Sequence, residues 1–110
     1  MKNCLFCQIV AGKIPADFIY QGEEIVAFKD IKPKAPVHIL VVPKKHLEKI
    51  QDAQKKDIVL LGRMIFRAKE IAKKLGLKDF KLAFNCGRGA GQVVPHVHLH
   101  LLGGGTEGRC

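Results

Sequence analysis

Residues 93–102 have the sequence VVPHVHLHLL, an apolar run interrupted by three histidines, and this segment decides the expected fold. Branched apolar residues in regular alternation are typical of a β-strand, so we predict a strand over Val93–Leu102. Because successive side chains of a strand point to opposite faces, His96, His98 and His100 share one face. The intervening apolar residues occupy the other face, which is expected to be buried in the core.

The rest of the chain predicts further strands and one long helix. Apolar or alternating runs predict four strands, over Phe18–Gln21, Ile25–Lys29, Val37–Val42 and Lys78–Asn85. Apolar residues recur every three or four positions from about Lys55 to Leu75, which predicts an amphipathic helix ending near Gly76. Its predicted apolar face consists of Ile58, Leu61, Ile65, Ala68, Ala72 and Leu75. A short helical turn is predicted over His46–Ile50. The order of elements favours an α+β fold, with an antiparallel sheet and one long helix packed on one face.

The composition indicates a single domain over residues 1–110, with a flexible glycine-rich tail from about residue 103. Hydrophobic residues make up 47% of the 110 residues, enough to form a core without a disulfide framework. The net charge of +9 favours anionic ligands without choosing among them. No apolar run approaches the roughly 20 residues that span a membrane, and no signal-peptide pattern is present. We therefore expect a cytoplasmic protein with reduced cysteines and no membrane partner.

Three aligned imidazoles suit two kinds of chemistry, metal ligation and catalysis by groups that titrate near neutrality. The segment before them, NCGRGAGQ at residues 85–92, has glycines at three alternate positions. Such glycines allow tight turns and let backbone N–H groups approach an anion closely. This is not the dinucleotide-binding fingerprint, because a strand rather than a helix is expected to follow. We interpret the segment as an anion-binding loop.

With these features the chain resembles the histidine triad family, whose mark is His-φ-His-φ-His-φ-φ with φ apolar. The motif stands here as HVHLHLL at residues 96–102, and the resemblance covers nearly the whole chain. It includes FKDI at 28–31, PVH at 36–38, VPKKH at 42–46 and the loop at 85–92. The branch it resembles most is that of small nucleotide-binding proteins that act as nucleoside phosphoramidases. The resemblance implies a homodimer whose sheet extends across the interface, with a purine nucleotide site on each subunit.

The resemblance also implies the roles of individual residues. His98 would attack the α-phosphorus of a nucleoside 5′-phosphoramidate, with His100 contacting the phosphate and His38 supporting the site. A neutral imidazole is a suitable nucleophile and leaving group at neutral pH. The other implied nucleotide contacts are Asn85, Gly91, Gln92, Val93 and Val94 for the phosphate, Asp30 for the ribose, and Phe6, Ile9, Phe28 and Ile31 for the base.

Two departures from the family pattern bear on the leaving group. The position after Gln92 is often a hydroxyl residue in the phosphoramidase branch, but here it is Val93, which has no side-chain proton to offer. The glycine-rich C-terminus also lacks the Trp-Pro-Pro-Gly-like tail of eukaryotic members. Leaving-group preference is therefore expected to differ from that branch.

Cys4 and Cys7 form a C-x2-C pair near the N-terminus. A thioredoxin-type motif would need a preceding strand, so redox catalysis is not expected, and the pair alone leaves metal binding open. Relatives with the same pair place zinc with a histidine after a Lys-Lys step and with the first triad histidine. The resemblance thus implies a structural zinc site formed by Cys4, Cys7, His46 and His96.

We therefore predict a hydrolase of purine nucleoside 5′-phosphoramidates, of the AMP-amine or adenylated-lysine type. One alternative is a hydrolase of dinucleoside polyphosphates. Another is a dimer that binds nucleotides or partners without catalysis. The basic residues of the long helix are interpreted as a solvated face, and nucleic acid is not an expected partner.

Overall fold

A five-stranded antiparallel sheet forms the centre of the protein, whose computed structural model describes residues 3–104. The strands are β1 (Phe18–Gln21), β2 (Ile25–Lys29), β3 (Val37–Pro43), β4 (Phe80–Phe84) and β5 (Leu99–Gly103), and the helices are α1 (Leu5–Val10) and α2 (Ile58–Lys74). The strand order is β1-β2-β3-β5-β4, so β1 and β4 are the edge strands. The predicted α+β fold, with one long helix on an antiparallel sheet, is confirmed.

The long helix α2 covers one face of the sheet and closes the larger core. Its buried residues pack on the strand residues that face it; the helix contributes Leu60, Met64, Ala68, Ile71 and Ala72, and the strands contribute Ala27, Ile39, Val41, Leu99 and Leu101. Each large aliphatic side chain buried here contributes roughly 1.5–3 kcal/mol. A short 3₁₀ turn over Lys55–Asp57 precedes the helix, so the predicted start at Lys55 marks the turn and not the helix itself.

The short helix α1 packs on the opposite face of the sheet and was not predicted from the sequence. Phe6 and Ile9 of α1 are buried with four strand residues, Val26, Phe28, Leu40 and Val42. Cys4 is the N-cap, and its Sγ accepts a hydrogen bond from the Cys7 N–H at 3.3 Å. Cysteine is not among the usual capping residues, so the sequence carries no ordinary start signal for this helix.

The last strand is shorter than predicted, because β5 begins at Leu99 and not at Val93. Pro95 has no N–H to give to a sheet, and the Val97 N–H donates to the Leu47 carbonyl at 2.7 Å. The segment before β5 is therefore held by the 46–50 region and not by a neighbouring strand. The turn predicted over His46–Ile50 is also displaced, to Ile50–Asp52.

Gly103 is the last residue of β5, and it pairs with Val37 on one side and Phe80 on the other. The predicted flexible tail, from about residue 103, lies outside the described residues from residue 105 onward. Within residues 3–104, no helix combines the length and apolar character needed to cross a membrane.

Candidate functional site

Strand register brings two of the predicted catalytic histidines together. His100 pairs with Leu40 and His38 pairs with Leu102, so the two histidines are diagonal neighbours on the α1 side of the sheet. His98 lies just before β5 on the same side, with its ring centroid 4.8 Å from that of His100. The predicted alternation therefore continues beyond the end of the strand, and the structure brings His38, His98 and His100 into one group.

The hydrogen bonds of His98 determine which ring nitrogen is available for chemistry. Nδ1 lies 2.7 Å from the His96 carbonyl oxygen, which can only accept, so Nδ1 carries the proton. In the neutral ring Nε2 then holds a lone pair and no hydrogen. The ring is 8% exposed, so its orientation is set by the protein and not by solvent.

A second chain of hydrogen bonds sets the protonation of His38 and His100. The Lys34 N–H donates to His38 Nδ1 at 3.1 Å, so the proton of the neutral His38 ring is on Nε2. That N–H donates to His100 Nδ1 at 2.9 Å, which places the proton of His100 on Nε2. Asn85 Nδ2, also a donor, lies 3.5 Å from this nitrogen, and this long contact competes poorly with the 2.9 Å bond from His38 that sets the proton of His100. The site thus presents one basic nitrogen, on His98, beside one N–H donor, on His100.

All three imidazoles are held neutral at physiological pH. Burial lowers the pKa of His98 and of His38 below 6.5, and the nearby carboxylate of Asp30 only partly opposes this. Burial, followed by the proximity of His98 and His38, lowers the pKa of His100 to about 4. A neutral His98 is the form that has a nucleophilic lone pair.

Asp30, His38 and His100 also lie close enough together to hold a cation, with their ligand atoms within 4.8 Å of one another. Ligation by His38 would require its Nε2 to lose the proton that it donates to His100. The proton would move to Nδ1, where it would face the Lys34 N–H, another donor. These hydrogen bonds therefore favour a His38 that keeps the proton on Nε2 over a His38 that binds a metal ion through that nitrogen.

The four residues predicted to hold zinc are brought together at the N-terminus of α1. Cys4 Sγ and His46 Nδ1 each lie 3.2 Å from His96 Nδ1, and Cys7 Sγ lies 3.3 Å from His46 Nδ1 and 3.6 Å from His96 Nδ1. We call these four residues the cysteine–histidine cluster. Two thiols and two imidazoles are a usual donor set for structural zinc.

The geometry of the cysteine–histidine cluster fits a tetrahedral metal ion. Zinc–sulfur distances of about 2.3 Å and zinc–nitrogen distances of about 2.0–2.1 Å imply separations between ligand atoms of about 3.3–3.8 Å. Within that range a pair of nitrogens is expected at about 3.3 Å and a nitrogen–sulfur pair at about 3.5 Å, and the separations above lie within about 0.3 Å of these values. His96 Nε2 donates to the Pro43 carbonyl at 2.8 Å, which leaves Nδ1 as the ligating nitrogen, and such outer hydrogen bonds typically orient metal ligands. Without a metal, burial and the neighbouring Cys4 raise the pKa of Cys7 to about 11.

The glycine-rich loop between β4 and the histidines is shaped by its own hydrogen bonds. Gly87 and Gly91 have φ values of 101° and 91°, which side chains other than glycine rarely adopt. Between them lies a 3₁₀ turn, Arg88–Ala90. Val93 is 83% exposed at the end of the loop.

Gln92 has a different role from the predicted phosphate contact. Its Oε1 accepts from the Gly87 N–H at 2.9 Å, and its Nε2 donates to the carbonyls of Glu48 at 2.6 Å and Val94 at 3.0 Å. Both amide hydrogens are thus used, and the side chain is buried. Gln92 holds the loop against the 46–50 segment and offers no side-chain donor to a phosphate.

The residues predicted to contact the base and ribose lie at different places around the histidines. Phe6, Ile9 and Phe28 are buried in one apolar cluster, from which Phe6 contacts His98, whereas Ile31 is 89% exposed on the loop after β2. Asp30 lies next to the histidines, with Oδ2 3.4 Å from His38 Nε2 and Oδ1 accepting from the Lys32 N–H at 2.9 Å. The structure thus brings Asp30 and Phe6 to the triad and leaves Ile31 at the surface.

Three backbone groups that position the histidines were not identified from the sequence. They are the Lys34 N–H, the Pro43 carbonyl and the His96 carbonyl. Any residue type supplies such a group, so no pattern of side chains could have indicated them.

Comparison with known proteins finds relatives that match nearly the whole chain. Residues 3–110 match the family described as "Scavenger mRNA decapping enzyme C-term binding". Protein HitA of Neisseria gonorrhoeae is 47% identical over 104 residues, covering 94% of this chain and 97% of that protein. An uncharacterized HIT-like protein of Synechocystis is 44% identical over 104 residues, covering 94% and 91%.

Solved structures give the same result. A HIT family hydrolase from Legionella pneumophila superposes with a TM-score of 0.91 at 48% identity, covering 94% of each chain. A zinc-bound histidine triad family protein from Mycobacterium smegmatis superposes with a TM-score of 0.83 at 31% identity, covering 98% of this chain and 79% of that one. With its fold, its HVHLHLL motif and these relatives, the chain belongs to the histidine triad family.

Proposed function

We propose that this protein hydrolyses purine nucleoside 5′-phosphoramidates through a nucleotidyl-His98 intermediate. The observation that carries the proposal is the hydrogen bond from His98 Nδ1–H to the His96 carbonyl, which leaves Nε2 unprotonated. The similarity to a HIT family hydrolase supports the reaction class. The phosphoramidate substrate rests on the resemblance to the phosphoramidase branch.

The first step would form one bond and break another at the α-phosphorus. His98 Nε2 attacks phosphorus in line, the P–N bond breaks, and the amine departs with the electron pair and takes up a proton from solvent. The N–H of His100, directed by His38, would stabilise the charge on the phosphate oxygens. Asn85 lies beside that N–H and would contact the same oxygens.

The second step would regenerate the free histidine. Water attacks phosphorus and releases a proton to solvent, the bond from phosphorus to His98 Nε2 breaks, and its electron pair returns to the ring as the mononucleotide is released. A neutral imidazole leaves readily because burial keeps the pKa of His98 below 6.5. Covalent catalysis thus divides one difficult hydrolysis into two in-line displacements.

Hydrolysis of dinucleoside polyphosphates is the second candidate, favoured by a basic cleft next to the loop. The cleft has a volume of about 370 Å³ and is lined by Glu48, Lys49, Gly87, Arg88, Gln92, Val93 and Pro95. Lys49 and Arg88 would attract a leaving group that carries phosphates. The match to a family described by mRNA decapping also favours substrates of this kind.

Turnover of a matched substrate panel would test the two candidates against each other. We would measure kcat/KM for AMP linked to an uncharged amine, for AMP linked to the lysine side chain, and for diadenosine tetraphosphate. The proposal predicts that both amine substrates are hydrolysed faster than the polyphosphate. Faster hydrolysis of the polyphosphate would overturn the phosphoramidate proposal in favour of the second candidate. A protein that binds AMP but hydrolyses none of the three substrates would be a non-catalytic binding protein. Guanosine and cytidine analogues of the best substrate would test the purine preference.

We also propose a homodimer that joins the β4 edges of two subunits. β4 is an edge strand with half-buried residues, and an uncovered edge is a natural site for strand pairing. Val59 and Phe66 of α2 line a groove with Tyr20 of β1. Ile58 and Ile65 are exposed on the other flank of the helix, which is the β4 side.

Light scattering on two surface variants would test this interface. Ile65→Lys is expected to give a monomer, since it places a charge in the apolar contact. Phe66→Lys, one residue along the helix but on the Tyr20 side, is expected to remain dimeric. A dimeric Ile65→Lys protein together with a monomeric Phe66→Lys protein would show that the interface lies on the β1 side.

We propose that the cysteine–histidine cluster binds zinc as a structural ion, which would join α1 to the 46–50 segment and to His96. The zinc-bound relative from Mycobacterium smegmatis supports this assignment. A bound cation stabilises the thiolate form of Cys4 and Cys7. Thiols of this kind stay reduced in the cytoplasm, where we place the protein.

A further inference from the structure

The ring of Phe6 contacts the histidine to which we assign the nucleophilic role. Its centroid lies 5.0 Å from that of His98 with an interplanar angle of 87°, and 5.9 Å from that of His96 with an angle of 69°. Phe6 is 4% exposed and packs against Phe28 on its other side, with a centroid distance of 5.5 Å. Edge-to-face contacts of this kind restrict the orientation of both rings.

Phe6 reaches this place because of its position within the C-x2-C pair. It lies in the first turn of α1, between Cys4, the N-cap, and Cys7. Both flanking side chains belong to the cysteine–histidine cluster, which connects them to His46 and His96. Movement of this turn would therefore move the Phe6 ring against His98.

His96 provides a second connection between the cluster and His98. Its ring nitrogen Nδ1 belongs to the cluster, while its backbone carbonyl accepts the Nδ1–H of His98 at 2.7 Å. The cluster thus fixes both the group that selects the tautomer of His98 and the ring that packs against it. Two contacts from different parts of the chain converge on one imidazole.

We infer that Phe6 is a positioning residue for His98, and that the cysteine–histidine cluster holds Phe6 and the His96 carbonyl in place for this purpose. The inference rests on the proposed function, because it assigns His98 as the nucleophile. It differs from the implied role of Phe6 in the base pocket. A base contact would act on substrate affinity, whereas a positioning contact acts on the rate of the covalent step.

Two matched leucine variants would separate these roles. Phe18 packs edge-on against Phe28 with a centroid distance of 5.9 Å, in the same cluster of apolar residues but away from the histidines. Phe6→Leu is expected to lower kcat about tenfold with KM within twofold of wild type, since it removes one aromatic contact to the nucleophile. Phe18→Leu is expected to lower the melting temperature but leave kcat unchanged. A Phe6→Leu protein with normal kcat and raised KM would overturn the positioning role.

Nitrogen NMR of the His98 ring provides a readout that does not depend on the substrate. Wild type is expected to show a protonated Nδ1 and an unprotonated Nε2, and Phe6→Leu is expected to show exchange between tautomers. If wild type has this pattern but hydrolyses no phosphoramidate, the proposed function fails while the positioning role stands. If Phe6→Leu retains the wild-type ring signals, the positioning role fails. Phe6→Met, which keeps a similar volume, would replace the leucine variant if that protein does not fold.

Metal removal would test the part of the inference that concerns the cluster. Treatment of the folded protein with a chelator is expected to shift and broaden the His98 ring signals, with the His38 signals changing less. His38 belongs to the same site but takes its hydrogen bonds from Lys34 and His100, outside the cluster. Ring signals of His98 that stay unchanged after the metal has left would overturn this part.

Discussion

The protein contains two histidine groups on the same face of its sheet, and they differ in how their ring nitrogens are used. In the cysteine–histidine cluster, both nitrogens of His96 are engaged, one by the Pro43 carbonyl and one by the other ligand atoms. In the triad, His98 uses Nδ1 for a carbonyl in the same way, and its Nε2 has no hydrogen. The two residues are separated by a single valine, and both are buried.

The comparison shows that neither burial nor spacing distinguishes a ligand from a nucleophile here. What distinguishes them is the surroundings of the second nitrogen. The second nitrogen of His96 lies among two thiols and an imidazole, whereas the ring of His98 packs against the rings of Phe6 and His100. His96 and His98 thus lie on the same face through one strand-like alternation. They differ in function because different side chains pack against their rings.

Removal of the His98 side chain should have the largest effect on catalysis. His98→Ala is expected to lower turnover of AMP phosphoramidates at least about 1,000-fold, because no other group supplies the nucleophile. AMP affinity, measured by calorimetry, should change less than tenfold because His100 and Asn85 remain. Turnover above a tenth of wild type would show that His98 is not the nucleophile.

Loss of a cluster cysteine should act mainly on stability. Cys4→Ser is expected to lose the bound metal and to lower the melting temperature by about 10 °C or more, since a bound ion stabilises the folded state. Cys86→Ser is the matched control, because Cys86 is a free thiol outside the cluster. Metal analysis and calorimetry of both variants would measure this. Equal metal content in the two variants would contradict the assignment.

Low pH is expected to lower the free energy of unfolding because His100 is buried as a neutral ring. The pKa of His100 is about 4 in the folded state and 6.5 ordinarily, so between these values the unfolded chain binds a proton that the folded chain does not. The free energy of unfolding should therefore fall as the pH is lowered from 6.5 towards 4. His100→Asn is expected to reduce this slope, and denaturant titrations of both proteins in one zinc-containing buffer would compare them. Identical slopes would argue against a buried neutral His100.

The smallest expected effect is at Val93. Val93→Thr would supply the hydroxyl group that is frequent at this position in the phosphoramidase branch. One added hydrogen bond to the leaving group should raise kcat for an unactivated amine roughly two- to tenfold, with AMP affinity unchanged. Val93→Ala is the control and should resemble wild type. An equal rise in both variants would point to crowding at Val93 instead.

Most of the fold could be predicted because local patterns and tertiary packing agree. β1 and β2 have the predicted bounds, and α2 is amphipathic as predicted. The predicted buried face is wrong in part, because Ile58, Ile65 and Leu75 are exposed. The residues that α2 buries are Leu60, Met64, Ala68, Ile71 and Ala72. The alternation of the final segment correctly separated His98 and His100 from the residues that pack against α2. The residues of the cysteine–histidine cluster came from the family resemblance, and their arrangement in space agrees with it.

Two of the failures depend on hydrogen bonds to residues distant in sequence, and the third depends on an unusual helix cap. β5 is shorter than predicted because the Val97 N–H bonds to Leu47, fifty residues away in sequence. Gln92 was assigned to the phosphate, but carbonyls of Glu48 and Val94 take both of its amide hydrogens. α1 was missed because its cap is a cysteine. The distant partners, Leu47 and Glu48, cannot be identified from a local pattern.

The stereochemical course at phosphorus tests the central assignment of His98 most directly. An adenosine phosphoramidate that is chiral at phosphorus through oxygen isotopes and sulfur would be hydrolysed, and the configuration of the product would be determined. Two in-line displacements, one by His98 and one by water, predict overall retention. Inversion would mean direct attack by water, with no nucleotidyl-histidine, and would contradict the account.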